Sequence, residues 1–524
     1  MPMKRRDFLK TTAAGAAAML MPGAAPAQQP GADRPNIILI MVDDMGYSDL
    51  GCYGGEVRTP NVDRLAREGL RFSQFYNNAK CGPTRASLLT GLYAHQVGCH
   101  TGVNRMQHCV TLGEALKLAG YRTLMTGKWH ADELPVNRGF DRYYGLTDGC
   151  CNFWNPGEQR EGEPPPGKKR SKRKWTIEDR VYWPYTPEDR DFYTTDAFTD
   201  RALGYLDEWH DGHGEDEPFF LYLAYTAPHY PLHAWPEDIA RYRGKYMQGW
   251  DKLREERYAR QLDMDLFKKP WEMSPRNPGV PKWEDAENKD EWDLKMAVYA
   301  AMIDRMDQNV GRLLDKLEEL GADENTLIMF LSDNGGCAER VHKTPDIPPG
   351  PVESYRTVDP PWANASNTPF RKYKSWDHEG GISTPFIAWW PKRIEGGGIT
   401  HQPGHIIDIM ATVADVSGTK YPEAYEGRGV LPLEGKSLTP VFDGKERDGH
   451  EALFWEFAGS RAVRKGRWKL VSHRGDGWEL YDMDNDRTEL NDLFKEKPDL
   501  ARELEVLWKE WRQRAAHDLE HGPV

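Results

Sequence analysis

Apolar runs and amphipathic stretches alternate along the chain and predict a repeated strand and helix order. Residues 36–42 are continuously apolar and rich in β-branched side chains, as in a strand buried on both faces. A helix then begins at Thr59-Pro60 and ends at Gly69. Similar patterns predict strands at 121–125, 218–225 and 326–331, with helices at 112–118 and about 296–320. The order predicts an α/β fold: a large, mostly parallel sheet sandwiched by helices.

After about residue 429 the pattern changes to short alternating segments. They predict a smaller C-terminal antiparallel sheet plus one helix, spanning 429–524 and docked on a main domain spanning 33–428. The predicted elements are strands at 452–457, 461–464, 468–471 and 479–481, and a helix at 499–515.

Two long segments, 155–191 and 241–292, differ from the predicted scaffold in composition. The first contains three consecutive prolines and a basic run at 168–174, and the second is charged and rich in tryptophan. Both are predicted to be insertions. Either they shape the mouth of a pocket or they are solvated excursions of the surface, and the sequence leaves both open.

The N-terminus carries the pattern of an export signal. Lys4-Arg5-Arg6 is followed by a mildly apolar, alanine-rich stretch and by a small-residue cleavage site at Ala25-Pro26-Ala27. Residues 1–27 therefore resemble a twin-arginine (Tat) signal peptide, which predicts the Tat export machinery as a partner and a periplasmic or secreted protein. No later segment is long and apolar enough for a membrane anchor.

The composition argues against one class of partner but does not indicate a function. The chain has 524 residues with 39% hydrophobic and 29% charged positions, as in ordinary globular proteins. Its formal net charge of −13 argues against nucleic acid as a partner, although a few cations in one cleft can still attract an anionic substrate. The seven cysteines are an odd number, so at least one lies outside any intramolecular disulfide.

Two predicted strands end in residues that offer only oxygen donors. Asp43 and Asp44 follow the first strand, and Asp333 and Asn334 follow the strand at 326–331. Since ligands gather at the carboxyl ends of parallel strands, these side chains predict a calcium or magnesium site rather than a zinc site. Aspartate pairs at strand ends also serve as helix caps, which is the structural alternative.

Cys81 precedes a helix that Pro83 is predicted to start. The cysteine would then face unpaired amide groups and the positive end of the helix dipole, which suits a thiolate or an oxyanion. Arg85, one turn later, adds a forked donor. From these residues alone, an activated cysteine and a plain helix cap are both open.

The segment Cys81-Gly82-Pro83-Thr84-Arg85, followed by Ala86-Ser87-Leu88-Leu89-Thr90-Gly91, resembles the signature of the type I sulfatases, within the alkaline phosphatase superfamily. Further motifs follow the order of that family, and residues 367–378 look most like bacterial arylsulfatases. These motifs are Asp43-Asp44-Met45-Gly46, Gly127-Lys128-Trp129-His130, Pro228-His229-Tyr230-Pro231, Ser332-Asp333-Asn334-Gly335, and Lys374 ahead of Glu379-Gly380-Gly381.

The resemblance implies hydrolysis of an aryl or carbohydrate sulfate ester with release of inorganic sulfate. Cys81 would be oxidised to formylglycine by a formylglycine-generating or anaerobic sulfatase-maturating enzyme, and its hydrate would be the nucleophile. One calcium ion, or magnesium, would be held by Asp43, Asp44, Asp333, Asn334 and the modified Cys81. The implied catalytic residues are Cys81, Arg85, Lys128, His130, His229 and Lys374.

The resemblance also implies a role for each of these residues. Arg85, Lys128 and Lys374 would hold the sulfate oxygens, and Asp333 would help to remove a proton from the hydrate. His229, with Lys374, would protonate the leaving oxygen, and His130 would take the proton that frees the sulfate. His95, His100 and His233 are interpreted as structural.

Two other functions remain open from the sequence. Relatives on the same scaffold act as phosphodiesterases or phosphonate monoester hydrolases, and both anions are tetrahedral. A non-catalytic binder of sulfated glycans, with Cys81 unmodified, would use the tryptophan-rich segment and the basic run at 168–174.

Overall fold

The computed structural model describes residues 34–101, 105–170, 172–212 and 217–523. The predicted signal peptide at 1–27 lies outside the described residues. Those from Arg34 onward belong to one compact unit, and the domain boundary at residue 429 stays a prediction. No helix within the described ranges is long and apolar enough to cross a membrane.

Eleven strands of the described chain form one large sheet. They are β1 (Asn36–Val42), β2 (Leu70–Tyr76), β3 (Arg122–Gly127), β4 (Arg142–Leu146), β5 (Trp175–Ile177), β6 (Arg180–Tyr182), β7 (Phe219–Ala224), β8 (Thr326–Ser332), β9 (Ser383–Trp389), β10 (Gly398–Thr400) and β11 (Gly404–His405). Their order is β10-β2-β9-β8-β1-β7-β3-β4-β5-β6, with β11 also on β2. The central strands β8, β1, β7, β3 and β4 are parallel, whereas β9 pairs antiparallel with both neighbours. The predicted fold class is confirmed.

Helices cover both faces of the sheet. The helices up to residue 442 are α1 (Pro60–Glu68), α2 (Cys81–Thr90), α3 (Leu112–Leu118), α4 (Thr194–Gly212), α5 (Pro236–Ala240), α6 (Trp250–Asp263), α7 (Lys289–Glu319), α8 (Asp359–Ser366), α9 (Glu379–Ile382), α10 (Asp408–Ser417) and α11 (Thr439–Phe442). Alternate residues of β1 face two hydrophobic cores, one on each side of the sheet. Ile38 and Ile40 pack in the core with α1, α4 and α7, whereas Ile37 and Leu39 pack in the core with α2, α3 and α10. This two-sided burial explains the unbroken apolar sequence of β1.

The C-terminal region matches its predicted elements closely. After a short hairpin of β12 (Ala424–Tyr425) and β13 (Arg428–Gly429), an antiparallel sheet runs in the order β14-β15-β16-β17. Its strands are β14 (Leu453–Phe457), β15 (Ser460–Lys465), β16 (Trp468–Ser472) and β17 (Glu479–Asp482), followed by α12 (Pro498–His521). Leu504 and Trp511 of α12 pack on this sheet, in a core that also includes Tyr76 and Ile407.

Strands β2 and β9 were not predicted. In β2 the half-buried Arg71 and Gln74 interrupt the apolar run, so its sequence lacks the continuous pattern of a central strand. Helix α7 begins at Lys289, about two turns before the predicted start, because its first residues are charged while the pattern becomes apolar only at Met296. Acidic residues in the first turn stabilise a helix N-terminus, but they add no apolar periodicity from which the start of the helix could be predicted.

Residues 241–292 are largely scaffold, contrary to the prediction of an insertion. The ring of Trp250 lies 4.8 Å from that of Trp283 and 5.4 Å from that of Trp362, and all three are buried. Arg257 of α6 forms buried ion pairs with Asp49 and Glu56. Both the tryptophans and the charges of this segment therefore serve the interior, where a charge is tolerated only when it is paired. The segment 155–191 contributes β5 and β6 to the edge of the large sheet.

Candidate active site

The acidic residues predicted at two strand ends meet at one edge of the sheet. Strands β1 and β8 are parallel neighbours with Val42 opposite Ser332, so Asp43 and Asp333 follow at the same level. The amide of Asp44 donates to Asp333 Oδ1 at 3.2 Å. The predicted adjacency of the two strand ends is confirmed.

Each aspartate of this edge is bonded to a buried cation. Asp43 Oδ2 lies 2.6 Å from Lys128 Nζ, and Asp333 Oδ2 lies 2.8 Å from Arg85 Nη2. Asp44 Oδ1 accepts from Lys374 Nζ and from Asn334 Nδ2. Burial raises the pKa of Asp43, and burial together with the charge of Asp43 raises that of Asp333 to about 6 despite Arg85. Burial also works against the ionised form of Asp44, but His229 and Lys374 lower its pKa overall.

Three oxygens of this edge are buried without a hydrogen-bond partner. They are Asp43 Oδ1, Asp44 Oδ2 and Asn334 Oδ1. One ligand atom each from Asp43, Cys81 and Asp333 lies within 4.8 Å of the others, and the same holds for Asp43, Asp44 and His229. Unpaired buried oxygens are costly unless a cation satisfies them. The donor set, mostly carboxylate and amide oxygen, fits calcium or magnesium.

Cys81 is the first residue of α2 and faces this cluster. Lys80 is the extended residue that precedes the helix, so the amides of the first turn are directed toward the site. Burial would raise the pKa of the Cys81 thiol, but Lys128 and Lys374 lower it overall. The position therefore favours an anion, as predicted from the sequence.

Arg85 supports the acidic edge from behind. Its Nε and Nη2 donate to Asp333 Oδ2, and its Nη1 donates to the carbonyl of Lys128 and to the Tyr222 hydroxyl. The guanidinium is almost fully buried. These bonds hold Asp333 and the Lys128 segment in one geometry.

Lys128 and His130 follow β3 at the same edge. His130 has a φ of +63°, and its Nδ1 is buried without a partner. Burial and the nearby charge of Lys128 hold the pKa of His130 well below its usual value. Its imidazole is therefore neutral at neutral pH.

His229 and Lys374 approach Asp44 from two further segments. His229 Nδ1 lies 2.5 Å from the backbone carbonyl of Tyr230, which can only accept, so Nδ1 carries the hydrogen. Its Nε2 then faces Asp44 Oδ2 at 3.4 Å. Burial lowers the pKa of His229 to about 4, with Asp44 opposing the shift. The structure thus brings every predicted site residue to one sheet edge.

Sequence reasoning missed a polar network beside His229. Glu339 accepts from Lys80 Nζ at 2.7 Å and from the Tyr230 hydroxyl at 2.6 Å. Burial opposes ionisation of Glu339, but Lys374 and Lys80 lower its pKa to about 2. The signal was available, because Lys80 and Tyr230 are the immediate neighbours of Cys81 and His229.

His233 is structural, as interpreted. Its Nδ1 accepts from the amide of Phe153 at 3.3 Å, and its Nε2 lies 2.8 Å from the carbonyl of Ser354. These bonds tie three chain segments together.

The chain is similar to known proteins over most of its length. The sulfatase family model matches residues 35–419. The chain belongs to the sulfatase family. It is a type I sulfatase of the alkaline phosphatase superfamily and hydrolyses sulfuric esters. The model of the N-sulphoglucosamine sulphohydrolase C-terminal region matches residues 371–515.

Individual relatives cover most of this sulfatase. It is 32% identical to an arylsulfatase of Klebsiella aerogenes, over 85% of this chain and 99% of the relative. It is 31% identical to an uncharacterised sulfatase of Schizosaccharomyces pombe, over 91% and 93%. The crystal structure of Ps i-CgsB in complex with k-i-k-neocarrahexaose aligns with a TM-score of 0.65 and 27% identity, over 91% and 93%.

The N-terminus of the sulfatase carries the predicted export signal. The twin-arginine translocation signal model matches residues 2–22. The pattern of paired arginines followed by an alanine-rich stretch is thereby confirmed as a Tat signal.

Proposed function

We propose that this sulfatase uses a formylglycine formed from Cys81, together with one calcium ion, to transfer sulfate from an ester to water. The observation that carries the proposal is the set of three unpartnered buried oxygens beside Cys81 at a helix N-terminus. A position suited to an anion therefore lies next to a position suited to calcium or magnesium. Asp43, Asp44, Asp333, Asn334 and the modified residue 81 would hold the ion, for which magnesium is the alternative.

The two added groups would supply charge stabilisation and a nucleophile. Calcium would polarise the sulfate oxygens, and the hydrated aldehyde would offer one hydroxyl for attack and a second through which sulfate is expelled. An ordinary thiol or alcohol lacks the second hydroxyl, so a water molecule would have to hydrolyse its sulfate ester.

The residues of the chain then divide the remaining work. Arg85, Lys128 and Lys374 bind the sulfate oxygens while charge develops on them, and Arg85 also keeps Asp333 oriented. Asp333, which lies within ligand distance of Cys81, accepts a proton during attack. The neutral, half-buried His130 accepts the later proton that frees the sulfate.

His229 is the proposed acid for the leaving oxygen. Its Nδ1 is engaged by the Tyr230 carbonyl, so the transferred proton sits on Nε2. A bound sulfate ester brings negative charge to this side and favours the protonated ring, which burial otherwise disfavours. Lys374 lies on the other side of Asp44 and assists the transfer.

Export limits when Cys81 can be modified. We propose that a formylglycine-generating or anaerobic sulfatase-maturating enzyme modifies Cys81 before the Tat machinery delivers the protein to the periplasm or the medium. Outside the cytoplasm an unmodified thiol would be exposed to disulfide chemistry.

Two measurements test the proposal. Peptide mass spectrometry of active native protein is expected to show an aldehyde, not a thiol, at residue 81, and the Cys81→Ala variant is expected to be inactive. Sulfate, phosphate and phosphonate esters of one phenol are then compared, and sulfate is expected to turn over fastest. A thiol at residue 81 in active protein would overturn the mechanism, and faster turnover of the phosphorus esters would overturn the substrate assignment.

A further inference from the structure

A basic groove lies beside the β5–β6 hairpin, away from the residues that surround Cys81. It is open, has a volume of about 450 Å³, and is lined by Asp148, Arg170, Lys172, Lys174 and Trp183. Below, "the basic groove" means these five residues. They come from the loop after β4, from the segment before β5, and from the end of β6.

The three cations of the groove are exposed and unpaired. None of Arg170, Lys172 and Lys174 forms an ion pair with a carboxylate of the described residues, whereas Arg160, Lys168 and Arg190 of the same segment do. Asp148, the one acid of the lining, accepts from the backbone amide of Lys174 at 2.6 Å. On a chain with a net charge of −13, three such cations form a local anion-attracting surface.

Trp183 gives the groove an aromatic wall. Its side chain is 61% exposed, and Lys174 Nζ lies 5.9 Å from the ring centroid. The indole face is therefore open to a ligand beside the cation of Lys174. It suits a ligand with both anionic groups and weakly polar C–H faces, because those faces pack on the electron-rich ring.

The groove is connected to the catalytic edge by one short loop. Thr147 and Asp148 bond the backbone of Lys174, and Arg173 Nη2 donates to Cys150 Sγ at 3.3 Å. Between them, Gly149 packs against His130, since a Cβ at this glycine would lie 3.0 Å from His130 Nε2. The loop 147–150 therefore contacts both the groove and His130.

We propose that the basic groove is a subsite for a sulfated polysaccharide chain, in which neighbouring sulfate groups meet the three cations and a sugar ring packs on Trp183. The proposal rests on the proposed function and specifies its substrate as multiply charged and polymeric rather than as a small aryl sulfate. Arg170 supplies the forked donor that suits a tetrahedral oxyanion, and the lysines supply point charges.

The test uses dextran sulfate as the probe and neutral dextran as its uncharged counterpart. A groove variant combines Arg170→Ser, Lys172→Ser and Lys174→Ser. A control variant removes the same charges from distant exposed positions by Lys420→Ser, Lys495→Ser and Arg502→Ser. Binding is measured by calorimetry, and competition by the inhibition of 4-nitrophenyl sulfate hydrolysis.

We expect the groove variant to bind dextran sulfate about tenfold more weakly, as three partly exposed charge contacts would give, and the control variant to bind as the wild type. Trp183→Ala is expected to weaken binding as well, and neutral dextran is expected to bind poorly throughout. Equal binding by groove and control variants would overturn the proposal. So would equally tight binding of short duplex DNA with no effect of Trp183→Ala, since that marks a non-specific polyanion surface.

The two proposals fail in different ways. If wild-type protein with a verified aldehyde does not hydrolyse sulfate esters, the proposed function is wrong, while the calorimetric result still decides the groove. If 4-nitrophenyl sulfate is hydrolysed but dextran sulfate neither competes nor distinguishes the groove variant from its control, the groove proposal alone is wrong.

Discussion

Two clusters of buried charge lie in this molecule and differ in how fully they are satisfied. The catalytic cluster contains Asp43, Asp44, Asp333 and Asn334 with their cations, and three of its oxygens have no hydrogen-bond partner. The docking cluster contains Glu379, Lys469, Arg487 and Glu489, between the large sheet and the C-terminal sheet, and all of its polar side-chain atoms are bonded.

The docking cluster shows what a purely structural arrangement looks like. Glu379 Oε1 accepts from Lys469, and its Oε2 accepts from Arg487, Tyr76 and Ser383. Glu489 completes the cluster by accepting from Lys469 at 2.8 Å and from the amide of Glu379 at 2.9 Å.

This difference shows how a functional site can be distinguished from a structural network of ion pairs. Burial and charge are common to both clusters, so neither identifies function. Incomplete satisfaction does, when unpartnered oxygens belong to side chains that approach one another within ligand distance, as those of Asp43 and Asp44 do. The resemblance placed Glu379 in a family motif together with Lys374, yet Lys374 faces Asp44 and Glu379 faces the C-terminal sheet.

The largest expected effect is the loss of a ligand oxygen in Asp44→Asn. We expect the rate of sulfate-ester hydrolysis to fall by about 10⁴-fold, because charge stabilisation of the sulfate oxygens is lost. Added calcium should raise the melting temperature of the wild type and not that of the variant. Glu489→Gln is the matched control, with turnover per folded molecule expected to stay near wild type. Calcium-dependent stabilisation of the Asp44→Asn variant would contradict the ligand assignment.

Glu379→Gln should act on stability instead. It leaves Lys469 and Arg487 buried with less opposing charge, so we expect the free energy of unfolding to fall by about 3–5 kcal/mol. Urea unfolding measures this, with Glu503→Gln in an exposed ion pair as the control that changes little. A variant with normal stability and lost turnover would show that the docking cluster is catalytic.

His229→Gln should depend on the leaving group. Without a proton donor at Nε2, we expect hydrolysis of an alkyl sulfate to slow by about 10²-fold, and that of a 4-nitrophenyl sulfate to slow less, because its phenolate needs no proton. Steady-state rates for a series of phenols give the dependence. Equal losses across the series would argue against the acid role.

The smallest effect concerns Asp377, a lone buried carboxyl whose two oxygens also lack partners. Burial raises its pKa to about 8, so at neutral pH the folded protein holds it protonated. Its folded pKa exceeds the unfolded value, so its contribution to stability is lost as pH rises toward 8. Between pH 6 and 8 this amounts to roughly 2–3 kcal/mol.

Asp377→Asn removes that dependence. The difference in unfolding free energy between variant and wild type should grow in favour of the variant as pH rises from 6 to 8. Parallel stability curves over this range would show that the carboxyl is not held neutral. Unlike Asp43 and Asp44, Asp377 belongs to no group of three or more His, Cys, Asp or Glu side chains within ligand distance among the described residues, so no cation site follows from its oxygens.

Much of the site could be predicted because its residues sit at strand ends or inside short motifs. Asp43 and Asp44 follow an unbroken apolar strand, and Cys81 starts a helix beside them. The local sequence therefore indicates where these side chains lie and which chemical groups they offer. The C-terminal strands were predicted within one or two residues, since each is a short apolar run between turns.

Other features depended on contacts that no local pattern encodes. The sequence by itself determined the order of β1, β3, β7 and β8 and of the C-terminal strands, the export signal, and the identity of the acids and cations of the proposed site. Only the tertiary structure decided that Arg85 bonds Asp333 and that Glu339 joins Lys80 to Tyr230. It also decided that Trp250 and Trp283 are core while Trp183 is exposed. The physical reason is that burial and hydrogen-bond satisfaction are properties of the surroundings, which distant parts of the chain supply.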